Sequence, residues 1–205
     1  SLGSFYPDGR HVGKAGLVGS FSFSAPKIIS TGQGGAIITD DDKVAVRLRK
    51  LKDFGRLKGG NDIHDSIGYN FKFTELQACI GIEQMKKLPM RVERKKEIFN
   101  HYIKGLKGLG EVRLFDHNLK NTSPWFIDCL VNDRDNLIAY LKNKGIGSRP
   151  MYPPINGQKI YKTNDYFPNS ELIGEKGLWL PSAVQLKDDE VTRICLEINN
   201  FYNKK

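Results

Sequence analysis

The sequence predicts an α/β chain, on three observations. Two short apolar runs of strand period flank a glycine-rich turn between residues 19 and 40, and a helical period takes over from residue 41. From residue 108 to the end, strand-like and helix-like segments alternate. The 205 residues allow one large domain or two small ones, with a real core.

Each element has a local reason. "GSFSFS" at 19–24 alternates small polar with aromatic residues, as a half-buried strand does. "GGAIITD" is a second strand entered from a glycine turn. "DDKVAVRLRKLKDFG" places Val44, Leu48 and Leu51 on one side, with acids leading and Gly55 closing, which predicts an amphipathic helix. Residues 56–73 carry turn signals and no period, and read as loop. Thr74 and Gln77 have the spacing of a capping box, and the stripe Leu76, Ile80, Met85, Leu88 runs up to Pro89, where the helix should break or kink. A second, basic helix continues through Val92, Phe99, Ile103 and Leu106 to Gly108 or Gly110, and 89–107 reads as a bridge between two domains. Beyond it, 108–205 reads as a compact α/β unit. "EVRLF", "PWFIDCLV", "IGSRPMY" and "LWLP" are its strands. "DRDNLIAYLKNKG", with Asp133 as N-cap and Gly145 as stop, is a helix, as are "NSELIGEKG" and "KDDEVTRICLEINNFY". The last of these should turn Val191, Ile194, Cys195, Ile198 and Phe201 inward.

Composition narrows the function. Hydrophobic residues make up 39% and charged residues 27%, a globular balance, and no apolar run approaches the roughly 20 residues of a membrane span. Cys79, Cys129 and Cys195 are far apart and odd in number, which argues for a reducing cytoplasm and against a disulfide framework or a zinc site. The net charge of +9 falls mainly in "KVAVRLRKLKDFGRLKGG" and "KKLPMRVERKKEIFNHYIKGLK". These are solvated helix faces, or attraction for an anionic partner such as a nucleotide-bearing substrate. No nucleic-acid-binding motif accompanies them. The opening "SLGSFYPDGRHVGKAG" has no Met and no signal-peptide pattern, and reads as the middle of a domain.

One residue stands in an unusual setting. Lys27 lies between "FSFS" and the glycines of "TGQGG". A free lysine titrates near about 10.4. To act as a nucleophile it needs that value lowered, or it must be held covalently on an aldehyde cofactor. The residues alone do not choose between these and a surface lysine. A Walker loop is excluded, because the lysine precedes the glycines, and a dinucleotide fingerprint is excluded, because "GQGG" leads into a strand.

The blocks "GSFSFSAPKIISTGQGGAIITDD" and "IGYNFKFTELQACIGIEQM", with "RVERKKEIFNHY" and "GLWLPSAVQLKDDEV", resemble the DegT/DnrJ/EryC1/StrS family of pyridoxal-phosphate-dependent sugar aminotransferases. The resemblance runs over essentially the whole chain. It implies the fold-type I transferase fold, with 1–88 as the remainder of the large pyridoxal-phosphate-binding domain, 89–107 as the bridging helix and 108–205 as the small C-terminal α/β domain. It implies that Lys27 is the catalytic lysine that forms a Schiff base with pyridoxal 5'-phosphate. Ser22 would hydrogen-bond the cofactor phosphate, and Asn70 of "GYN" would reach that phosphate from a neighbouring subunit, so that a homodimer shares its active sites. The glycines of "TGQGG" would let the backbone pass close to the cofactor.

The resemblance further implies transamination of a nucleoside-diphosphate keto-sugar with L-glutamate as donor. "GIGSRPMYPPINGQKIY" resembles the substrate loop of the 4-aminotransferases that make perosamine from GDP-4-keto-6-deoxymannose, with Arg149 and Tyr152 facing the substrate. Two departures stand out. Ser24 replaces a histidine found in many members. The acidic-Ala-Ala-Gln segment that precedes "SLGS" in the family, and supplies the aspartate for the pyridinium nitrogen, is absent, so the chain is expected to be a C-terminal portion, inactive or nearly so by itself. Two alternatives follow: a dehydratase of the same fold, which would carry histidine in place of Lys27, and an inactive remnant that only dimerises or binds sugar nucleotide. No metal, nucleic acid or membrane partner is expected.

Overall fold

The computed structural model describes residues 1–203 apart from Leu57, Lys162 and Asn164. Two compact units divide the chain: Ser1–Val92 with Lys120–Ser123, and Glu93–Leu119 with Pro124–Lys205.

In the first unit, β1 (Gly19–Ser22) pairs antiparallel with β2 (Gly35–Ile38), Ser22 standing opposite Gly35. The alternation read from the sequence holds, with Gly19 and Phe21 buried and Ser20 and Ser22 exposed. α1 (Asp42–Lys52) starts where the Asp41 carboxylate accepts the Val44 N–H at 3.0 Å, and Arg49, Lys50 and Lys52 fill its last turn, as the helix dipole favours. Gly55 follows at φ +77°, where an added Cβ would lie 1.8 Å from the Ser66 carbonyl oxygen. The loop beyond folds back through bridges joining Asp53 to Asn70 and Arg56 to His64. α2 (Glu75–Lys86) carries the complete Thr74–Gln77 capping box. Its apolar stripe is largely exposed, Leu76 at 75%, Ile80 at 44% and Met85 at 46%, and Cys79 is exposed on the same helix. α3 (Leu88–Gly105) restarts with Pro89 in its first turn, where the missing N–H costs no intrahelical bond.

The second unit holds a four-stranded antiparallel sheet. Its strands are β3 (Val112–Leu114), β4 (Ile127–Val131), β5 (Arg149–Pro150) and β6 (Gly177–Leu180), in the order β3-β4-β6-β5. Helices α4 (Arg134–Asn143), α5 (Pro168–Lys176) and α6 (Asp188–Asn203) complete it. Ile127, Cys129 and Leu178 from the strands form one core with Ile98 and Tyr102 of α3, Leu137 of α4 and Ile198 of α6.

The details correct four expectations. α3 buries Lys95, Ile98, Phe99 and Tyr102, while Ile103 is 42% exposed, so its inward stripe is turned from the one read in the sequence. β5 is two residues long, because Pro150, Pro153 and Pro154 remove the N–H groups a longer strand would need. Asp133 precedes α4 at φ +52° and makes no capping bond to the backbone; its carboxylate accepts the Asn136 side-chain N–H at 2.7 Å. In α6 the fully inward aromatic is Tyr202, and Phe201 packs at the edge of the core.

Lys95 is buried, with Nζ donating to the Trp125 carbonyl at 2.7 Å, the Ser182 carbonyl at 2.5 Å and Ser182 Oγ at 3.1 Å. Burial lowers its pKa to about 8, against a smaller pull upward from the Asp128 carboxylate. Burial also raises the thiols of Cys129, to about 12, and Cys195, to about 11.

Candidate active site

The period-two strand β1 directs the Ser22 hydroxyl outward at the point where the chain leaves the sheet. Ser22 Oγ and Ser24 Oγ share a hydrogen bond at 3.1 Å. The chain then turns, the Lys27 N–H donating to the Ser24 carbonyl at 3.0 Å. Lys27 therefore sits on the turn that follows the two serines. Burial and the charge of Lys27 both act on the amine of Ser1, which places the start of the chain near the lysine.

Several groups fix this turn. Ile29 is buried at 1% exposure. The Phe23 carbonyl accepts from the Thr31 N–H at 3.0 Å and from Ser30 Oγ at 3.2 Å. Arg91 Nη1 donates to the Ile28 carbonyl at 2.8 Å, and Gln77 Nε2 donates to the Gln33 carbonyl at 3.0 Å. Gly34 closes the loop at φ +125°, with an added Cβ reaching 2.4 Å from Phe73. The glycine is needed for its own backbone angle and for Phe73. Phe23, Ile29 and Thr31 also border an apolar hollow of about 390 Å³, with Phe73, Ile82 and Met85 on its other walls.

Asn70 stands apart from this turn. It is exposed and bridged to Asp53, beside Tyr69 and Phe71, whose N–H groups donate to the Leu51 and Lys52 carbonyls at 2.7 and 3.0 Å. Asp53 is held below the usual carboxylate range by hydrogen bonds from Arg56 and then Lys72, which tie the loop to the end of α1.

Arg149 and Tyr152 lie together in the second unit. Arg149 is opposite Trp179 in the β5–β6 register. Its guanidinium carbon is 5.5 Å from the Trp179 ring centre and 5.4 Å from that of Tyr152. Tyr152 meets Trp179 edge-on at 4.9 Å.

Sequence reasoning brought Ser22 and Lys27 to one turn and Arg149 and Tyr152 to one strand end. It missed three residues that hold them. Ser24 was noted only as a departure. Arg91 looks like one more charge in a basic helix, and Trp179 looks like a core aromatic. Chemically, the first group offers two hydroxyls and an amine on a fixed turn, and the second offers a cation flanked by aromatic faces.

Comparison with known proteins adds to this. A model of the DegT/DnrJ/EryC1/StrS aminotransferase family matches residues 1–199. A GDP-perosamine synthase of Escherichia coli O157:H7 is 32% identical over all of this chain and 57% of its own length, so the chain spans little more than half of that relative. The solved structure of the aminotransferase TlmJ from Streptoalloteichus hindustanus superposes with a TM-score of 0.89 at 29% identity, over 96% of this chain and 55% of that one. A GDP-4-keto-6-deoxy-D-mannose-3-dehydratase of E. coli superposes with a TM-score of 0.84 over 96% of this chain and 58% of its own; at 21% identity it shows a shared fold alone.

Proposed function

The chain belongs to the DegT/DnrJ/EryC1/StrS aminotransferase family, and on that footing we propose that it carries the catalytic lysine of a pyridoxal-phosphate-dependent transamination of a nucleoside-diphosphate keto-sugar. The substrate in this reading is GDP-4-keto-6-deoxymannose, which gains a 4-amino group with L-glutamate as donor. The similarity to a GDP-perosamine synthase supports that choice. One observation carries the reading: Lys27 lies on a turn pinned by Ile29, Arg91 and Gln77, directly after two outward hydroxyls. A surface lysine has no need of that framework.

The residues fit the two ends of the cofactor. Ser22 and Ser24 offer hydroxyl donors for a phosphate, and their mutual bond at 3.1 Å shows that both point to the same place. Lys27 offers the amine that takes the aldehyde end. When bound, pyridoxal phosphate supplies an electron sink for the carbon that loses its proton. The protein's part is to hold and move that proton. The Lys27 amine would serve as the general base that takes this proton and then as the acid that gives it back. Asn70, exposed beside its bridge to Asp53, serves the phosphate of a neighbouring copy, which makes the assembly a homodimer. Arg149 pairs with the substrate diphosphate through its planar N–H edge, and Tyr152 lies against the same ligand. We set the reaction in the cytoplasm, away from membrane and nucleic acid; no helix among the described residues is long and apolar enough to cross a membrane.

The same-fold dehydratase is the second reading. The resemblance implies that such dehydratases carry histidine in place of Lys27, and a lysine able to form a covalent link favours transamination. The test is direct. The protein is saturated with pyridoxal phosphate, reduced with borohydride and digested, and the labelled peptide is identified by mass. The expected label is on the peptide containing Lys27, and Lys27→Ala loses the label and the visible absorption band. Label elsewhere, or a band unchanged in Lys27→Ala, overturns the assignment. An unlabelled protein of native circular dichroism supports the inactive remnant instead.

A further inference from the structure

Arg149 is an exposed cation in an uncommon position. Among the described residues no carboxylate lies within ion-pairing distance of it. Its neighbours are instead the rings of Trp179 and Tyr152, at 5.5 and 5.4 Å. Tyr152 is 59% exposed, whereas Trp179 is 7% exposed. Trp179 is fixed from behind: it stacks on Phe126 at 4.5 Å and 23°, and Phe126 packs on Trp125 at 4.3 Å. The two prolines beyond Tyr152, and Pro150 before it, stiffen the strand end that carries the arginine. A guanidinium that sits over aromatic rings, with no carboxylate paired to it, keeps N–H groups for a ligand.

We infer that Trp179 is the positioning residue for Arg149, a rigid ring that holds the guanidinium ready for a diphosphate before any ligand arrives. This rests on the reading of Arg149 as the diphosphate contact. Its benefit is that less side-chain freedom is lost on binding.

Equilibrium titration of GDP into the 205-residue chain, as a two-by-two cycle, tests it. Arg149→Ala is expected to weaken GDP by about tenfold or more. Trp179→Leu is expected to weaken it about tenfold with Arg149 present, and to have no further effect in the Arg149→Ala background. Trp179→Phe keeps a ring and gives up only the indole N–H, which lies toward the Asp128 carboxylate and not toward Arg149. It should fold even if the leucine variant does not, and be about two- to threefold weaker only while Arg149 is present. If Arg149→Ala lowers affinity and the Trp179 variants do not, or if their losses add to it, the positioning role is wrong and the diphosphate contact stands. If GDP does not bind the unaltered chain, or binds Arg149→Ala equally well, the diphosphate reading itself falls, and this inference with it.

Discussion

Lys95 shows how much a single side chain escapes sequence reading. In "RVERKKEIFNHY" it is one cation among several. In the fold its ammonium is surrounded by three oxygens supplied by residues 30 and 87 positions away, which no local period reveals. Lys95→Met keeps the bulk and removes the donor, leaving two carbonyls and a hydroxyl to find other partners. Denaturant unfolding should show a loss of about 2 kcal/mol or more, since each buried group left unpaired costs about 1–3 kcal/mol. The pH dependence has a definite sign. The native value of about 8 lies below the ordinary 10.5, so within that window the unfolded chain holds more protons and stability from this residue rises with pH. The stability gap between the unaltered chain and Lys95→Met should therefore widen from about pH 7.5 to about pH 9.5. A constant or narrowing gap would show that the ammonium is not destabilised by its burial. Ser22 and Lys27 were the opposite case: their positions follow from a strand period and a turn, both local.

Elements were legible wherever a local signal set them. The hairpin, the starts of α1 and α2, and the restart at Pro89 all follow from period, cap or ring closure. Asp133 was misread because a good N-cap residue type does not guarantee a capping geometry, and here the backbone is left-handed. The capping box of α2 has a further task. Gln77 accepts the Thr74 N–H through Oε1 at 3.1 Å while its Nε2 holds the Gln33 carbonyl in the Lys27 loop. Thr74→Ala is expected to cost about 1 kcal/mol. Gln77→Ala should cost more, and should also speed amide exchange at Gly32 and Gly34, which Thr74→Ala does to a smaller degree. Equal effects of the two variants on the loop would mean that Gln77 does not couple helix to turn.

At the scale of the molecule, the two units are unequal. Among the described residues, the buried hydrophobic side chains of the first unit are Phe21 and Ile29, while the second unit has a continuous core that includes Tyr102, Ile127 and Leu178. Local stability follows buried apolar contact. Hydrogen exchange on the 205-residue chain should leave β4 and β6 protected long after β1 and β2 have exchanged. Equal protection in both sheets would show that the hairpin is stabilised by something other than its own burial. This imbalance was not legible, because apolar residues such as Leu76 and Ile80 follow a core-like pattern and yet lie exposed. The cysteines give that surface an address. Cys129 and Cys195 are shielded and reluctant to ionise, whereas Cys79 is open on α2. A maleimide dye will couple at one position, next to Ile80 on the uncovered helix. Its emission colour then becomes a gauge of wetness there, shifting to the blue whenever another surface closes over the helix.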